Sequence, residues 1–223
     1  MSFNVDQFFN MVYNHMVQAQ KAIRSSSEVN DYRWLSSKAK AIDDTSMKHN
    51  FRSYTRNSDN PTVFLIGYDS QAIDDLACFL DDLGEQGILQ GCVLLSEGYQ
   101  GNNSLQKGLM RGSLDDIFRK YNIHPEGNDN AELREQQHDA LNDVKRLLKY
   151  DSAYNSEVQK KISKAMGSLI ARDKGYFLPH ILNHAKGDAS VIYLLELDNV
   201  TSFTLERLLK NNGVKYASFV PTL

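Results

Sequence analysis

The sequence predicts an α/β (or α+β) fold that is helix-rich, in which two strand–helix–strand units form a mixed sheet of four to six strands, with helical hairpins at the amino terminus and in the centre. Three observations carry this expectation. Between Thr62 and Leu95, an apolar run (Val63 to Ile66) leads into an amphipathic segment through Leu76, Phe79, Leu80 and Leu83. Gly84 and Gly87 close that segment, and a second apolar run begins at Ile88. This succession is the sequence form of a strand, a helix and a second strand. The plan then returns from Ser190, in SVIYLLELDNVTSFTLERLLKNNGVKYASFV. At a constant offset of 129 residues, Asp69 falls on Asp198, Leu76 on Leu205, Phe79 on Leu208, Leu80 on Leu209 and Gly84 on Gly213. Finally, the chain between and before these units carries apolar residues at helical spacing.

In chain order, Asn4 with Gln7 three positions on is a capping-box variant opening a helix over residues 4–24. Val5, Phe8, Phe9, Val12, Met16, Ala19 and Ile23 form its apolar stripe, and Ser25-Ser26-Ser27 ends it. A second helical pattern runs through Tyr32, Leu35, Ala39 and Ile42, so residues 1–55 read as an amino-terminal helical hairpin, with Phe51 and Tyr54 in a last helical turn. The polar run from Arg56 to Asn60 is the boundary, and residues 61–223 form the α/β core domain with a helical insertion at about 113–187. Four glycines between Gly98 and Gly112 mark a long loop. Ser113 with Asp116 caps a short helix that His124-Pro125 ends. Leu133, Ala140, Leu141, Val144, Leu147 and Leu148 then mark one long helix, and Val158, Ile162, Ala165, Met166, Leu169 and Ile170 another, the pair forming an antiparallel hairpin. Pro179 suits the first turn of a short helix from Phe177 to Ala185, with Gly187 as its stop.

Composition narrows the function classes. The chain has 223 residues, 41% hydrophobic and 24% charged, enough for a core that needs no disulfide or metal staple. A net charge of −3, with basic residues dispersed, argues against a duplex-DNA binder; such a role would need Arg52, Arg56, Lys107, Arg111 and Lys120 to converge. Cys78 and Cys92 sit at apolar-phase positions and read as buried free thiols. Met1-SFNVDQ has neither a basic nor an apolar leader, and no apolar stretch reaches spanning length, so a cytoplasmic protein without membrane insertion is expected.

Candidate chemistry lies first at the strand ends. Asp69 and Asp198 follow equivalent strands and Glu97 follows a third; ligands of parallel sheets bind outside the carboxyl ends, so three carboxylates there could hold Mg²⁺. The simpler role for an Asp between strand and helix is the N-cap. The stretches LLSEGYQG and LLELDNVTS resemble the strand-end acidic motifs of the Toprim nucleotidyl-transfer fold, an E-G and a D-x-D. The sequence departs from that pattern at Val200, two past Asp198, and no acid follows Glu97 within five residues, so the resemblance implies a degenerate acidic site.

His180 and His184 are one turn apart, with Asp188, His138 or His124 as the candidate third ligand of an ion. Their sequence, HILNH, lacks the glutamate of HExxH, which favours a surface or packing role. Glycines 98, 101, 108 and 112 with Lys107 or Arg111 match neither phosphate-loop pattern; a mobile loop is the better account, and such a loop could still bind a partner. Ser96 and Ser104 near Glu97 define no nucleophile motif.

The expectation is a non-enzymatic protein–protein interaction protein, an accessory or adaptor subunit of a larger bacterial assembly, secretion machinery being one host in view. Its partners would be other protein subunits, without nucleic acid and without a cofactor. Phe8, Phe9, Val12 and Met16 are the candidate docking face, either core or an arm in a partner's groove. The alternative is a metal- or nucleotide-dependent enzyme using the degenerate acidic site at Asp69, Glu97 and Asp198.

Overall fold

The computed structural model describes residues 36–68, 72–97, 99–100, 104–105, 113–127, 129–147, 156–187 and 189–222. The expected amino-terminal helix over 4–24, with Phe8, Phe9, Val12 and Met16, lies outside them, as do Asp69 and most of the loop from Gly98 to Gly112. In chain order the elements are α1 (Ser37–Lys48), β1 (Phe51–Arg56), β2 (Val63–Tyr68), α2 (Ile73–Glu85), β3 (Cys92–Ser96), β4 (Tyr99–Gln100), β5 (Ser104–Leu105), α3 (Ser113–Lys120), α4 (Ala131–Leu147) and α5 (Ser156–Arg172). A π-helical turn (Asp173–Phe177) then leads into α6 (Leu178–His184), β6 (Ser190–Glu196), α7 (Leu197–Thr201), α8 (Thr204–Asn211) and β7 (Tyr216–Pro221).

The sheet is mixed and five-stranded, in the order β1-β7-β2-β6-β3. Strands β7, β2, β6 and β3 run parallel to one another, and β1 is antiparallel to β7 at the edge. Both strand–helix–strand units are present, β2-α2-β3 and β6-α7/α8-β7, and they interlock: β6 lies between the strands of the first, and β2 between those of the second. Helices cover both faces, which is why β2, β6 and β7 read as continuous apolar runs. Phe64, Ile66, Ile192, Leu194 and Phe219 face α1, α2 and α3, while Val63, Leu65, Val191, Tyr193 and Leu195 face the π turn, α6, α7 and α8.

Several expectations need correction. Phe51 and Tyr54 stand in strand β1, not in a helical turn; Phe51 is buried and its ring packs tilted against Phe79, centroids 5.4 Å apart. Ala39 and Ile42 of α1 pack in the same core, so the described part of residues 1–55 belongs to the sheet domain. The apolar run from Ile88 opens with a short turn (Leu89–Gly91), and its strand, β3, starts at Cys92 as expected. Cys78 is exposed and Cys92 half-buried, so neither thiol is sealed in the core.

The helix caps also differ from expectation. Helix α2 begins at Ile73 with Ala72 as N-cap, beyond Asp69. Its C-terminal left-handed residue is Gly87 (φ +74°), matched in the second unit by Gly213 (φ +71°), which is the Schellman-type role of glycine. Gly84 has a different job: a Cβ there would meet the Tyr121 ring at 2.4 Å. That absence of a side chain lets α3 dock on α2, where the Tyr121 hydroxyl donates to Asp81 Oδ1 at 2.6 Å and Lys120 reaches the same oxygen. Gly84→Ala is expected to cost about 1 kcal/mol, the low end of overpacking because the half-buried ring can give way. Thermal denaturation checks this, and the penalty should vanish when Tyr121→Ala is added.

The central hairpin is antiparallel as expected. Asp143 of α4 pairs with Lys161 of α5, and Gln137, earlier on α4, meets Arg172, later on α5. Asn130 caps α4, its Oδ1 accepting the Leu133 N–H at 2.9 Å. The expected helix from Phe177 to Ala185 is α6, beginning at Leu178 and continuous with α5 through the π turn. Among the described residues no helix is long and apolar enough to cross a membrane.

Candidate functional site: the carboxyl end of the sheet

Glu97 follows β3 directly and is completely buried. Strand β6 brings its backbone alongside, so the Glu196 N–H donates to Glu97 Oε2 at 2.7 Å and Asn199 Nδ2, in the first turn of α7, donates to the same oxygen at 2.6 Å. The other oxygen accepts from Arg172 Nη2. Every group bonded to this carboxyl is a donor, which favours the anion, while burial pushes its pKa up against the pull of Arg172.

Arg172 is the hub. At the end of α5 and 0% exposed, its guanidinium donates through Nε and Nη2 to the two oxygens of Asp129, at 2.9 and 2.8 Å, and through Nη1 to Gln137 Oε1 at 2.7 Å. This fork geometry is specific to arginine. The guanidinium carbon also lies 5.0 Å from the centre of the Phe177 ring. Gln137 passes the chain of bonds on to Asn199 Oδ1 at 3.2 Å.

Glu196, the last residue of β6, anchors a second arm. It accepts from Arg134 Nη2 on one oxygen and lies 2.7 Å from His138 Nε2 on the other. Burial raises its pKa, but the bond to His138 and the charge of Arg134 overrule that and bring it down to about 2. The same bond to Glu196 raises His138. Glu97, Asp129 and Glu196 are thus set against Arg134 and Arg172, with His138 beside Glu196.

Beside this network stand two groups it does not satisfy. Asp173 is fully buried and neither of its oxygens has a hydrogen-bond partner among the described residues; burial pushes its pKa well up. The Tyr193 hydroxyl, also fully buried, has no partner among the described residues either.

Two of the three carboxylates weighed as an acidic site fall among the described residues. Glu97 is at the strand end, but Asp198 lies in the first turn of α7 and is exposed, with Glu196 rather than Asp198 as N-cap; Asp69 lies outside the described residues. Glu196 and Asp129 are the carboxylates that join Glu97. Of the candidate basic residues, Arg56 is held by Asp43 and Lys120 by Asp81, on different elements. Ser96 is buried, its hydroxyl donating to the Glu97 carbonyl at 3.2 Å.

His180 and His184 share one face of α6, ring centres 5.1 Å apart. Of the three expected third residues, His138 is on Glu196, His124 is exposed and Asp188 lies outside the described residues; the partner found among those described is a different one. It is Glu126, whose Oε2 lies 3.5 Å from His180 Nε2 and 3.1 Å from His184 Nε2. Burial, and then the neighbouring His184, hold His180 below the usual histidine range. No family model, no curated protein and no solved structure matches this chain.

Proposed function

We propose that the protein is a non-enzymatic accessory or adaptor subunit of a multiprotein assembly. The observation that carries this reading is the arginine pair at the carboxyl end of the sheet. An α/β enzyme keeps its strand-end carboxylates open to substrate or metal. Here Arg172 and Arg134 come in from the central hairpin and occupy Glu97, Asp129 and Glu196. An ion such as Mg²⁺ needs several oxygen ligands in octahedral array, with waters among them. Both oxygens of Glu97 are taken and none of its surface meets solvent. The arrangement supports a structural clamp: the network ties the hairpin to β3, β6 and α7, and so presents the outer surfaces of α4 and α5 on a rigid base.

The direct experiment is to recover the natively expressed, tagged chain gently and weigh what accompanies it. A stoichiometric set of companion proteins is expected. Phe8→Asp with Val12→Asp should release them while the melting temperature stays unchanged. Recovery as a lone monomer would overturn the reading. The enzyme alternative at Asp69, Glu97 and Asp198 requires Glu97 to shed Arg172; a Mg²⁺- or nucleotide-induced thermal shift that Glu97→Gln abolishes would favour it instead.

A further inference from the structure

Glu126 and the two histidines of α6 meet at the edge of the sheet, and their positions are set by two rigid elements. Glu126 lies parallel to β3 beside Leu95, its N–H donating to the Leu94 carbonyl at 2.9 Å and its carbonyl accepting the Ser96 N–H at 2.8 Å. Helix α6 is fixed by Ile181, buried between the two histidine turns, and by Phe177 at the end of the π turn. Residues four apart project from one helix face, one above the other. The carboxylate therefore faces both imidazoles without any loop having to close.

The spacing can be compared with what a metal ion requires. Zinc bonds of about 2.1 Å to imidazole nitrogen and carboxylate oxygen put tetrahedral ligand atoms about 3.4 Å apart. The two distances from Glu126 Oε2, 3.5 and 3.1 Å, bracket that edge, and all three ligand atoms lie within 4.8 Å of one another. A small turn of one histidine ring closes the third edge. We propose that Glu126, His180 and His184 form a binding site for a divalent transition ion of the zinc class, with a fourth coordination position open to water.

The donor set selects the ion. Two imidazoles and one carboxylate suit zinc and its neighbours, whereas calcium and magnesium take all-oxygen shells. The side chain of Glu126 is 40% exposed, which provides an entry path. His180 Nδ1 has no hydrogen-bond partner among the described residues. An outer carboxylate or carbonyl on that nitrogen typically strengthens zinc binding 10- to 100-fold. The site should therefore bind about that much more weakly than a fully braced one. The site stands apart from the Glu97 network and does not depend on the adaptor reading.

The test uses the full chain, freed of metal by a chelator and titrated with Zn²⁺ by calorimetry and with Co²⁺ by visible absorption. One ion per chain is expected, with ligand-field bands for Co²⁺. At Zn²⁺ a hundredfold above Kd, the melting temperature should rise about 5–10 °C. His180→Ala, His184→Ala and Glu126→Gln should each lose the bands and the thermal shift, while His49→Ala keeps both. Melting in chelator separates lost binding from lost folding: a variant that melts there like the parent but gains nothing from zinc supports the site. No stoichiometric ion on the parent chain, or unchanged binding in both Glu126→Gln and His184→Ala, would overturn it.

Discussion

Replacing Arg172 by methionine is expected to lower stability by about 3–5 kcal/mol, the usual result of removing one partner from a buried ion pair. The loss arises mostly from what stays behind. Glu97 would keep Asn199, the Glu196 N–H and Arg134 at 4.0 Å but lose its closest cation, and Asp129 would lose both bonds of its fork. For a chain of this size the melting temperature should fall by roughly 6–20 °C. Urea denaturation with an unchanged m-value would confirm that stability, rather than the compactness of either state, has moved. Combining Arg172→Met with Glu97→Gln and Asp129→Asn should recover part of the loss, because no charge is then stranded. A single variant that melts like the parent would show that the network contributes nothing.

Asp173→Asn is expected to act in the opposite direction, raising stability at neutral pH by about 1–3 kcal/mol, the scale of an unsatisfied buried group. Burial raises the Asp173 pKa well above 3.8, so the folded chain disfavours its ionised form. The unfolded chain ionises at the lower, ordinary value, so folding between the two values takes up a proton. By linkage, the Asp173 contribution is least unfavourable below about pH 3.8, grows more so as pH rises above that value, and levels off above the folded pKa. The gap between variant and parent should therefore be near zero in acid and widen with pH. Denaturation curves at several pH values measure it directly. A gap that stays constant with pH would mean that Asp173 is ionised in both states.

The sheet's parallel strands were legible because strands covered on both faces are apolar throughout, as in VFLIGY and SVIYLLE. Strand β1 was not, because FRSYTR buries only Phe51 and so shows no clean alternation. Its aromatic and β-branched content between Asn50 and the turn at Asn57 was the available signal. The Glu97 network was hidden for a related reason. Helix α4 turns inward along Arg134, Gln137, Ala140 and Val144, and α5 along Val158, Ala165, Leu169 and Arg172. Both stripes keep a 3.6-residue period but replace apolar residues with polar ones, so apolar periodicity alone points to Leu133 and Ile162, which are only half-buried. A polar residue standing in phase with a core stripe is the mark of such a network. Glu126, lying in neither a helix nor a named strand, left no periodic trace at all.

The interlocking of the two units governs how the chain can be made. Strand β1 waits for β7, with Phe51 beside Pro221, and β2 has β7 on one side and β6 on the other. A ribosome that has synthesised everything through α5 holds β1, β2 and β3 without any of their sheet neighbours. These strands, apolar throughout in β2, must stay apart until the last quarter of the sequence emerges. So many late, long-range pairings imply slow assembly and an aggregation-prone nascent chain. Neither unit can serve as a template for the other, and a chain cut before β7 leaves the sheet without the strand that joins β1 to β2.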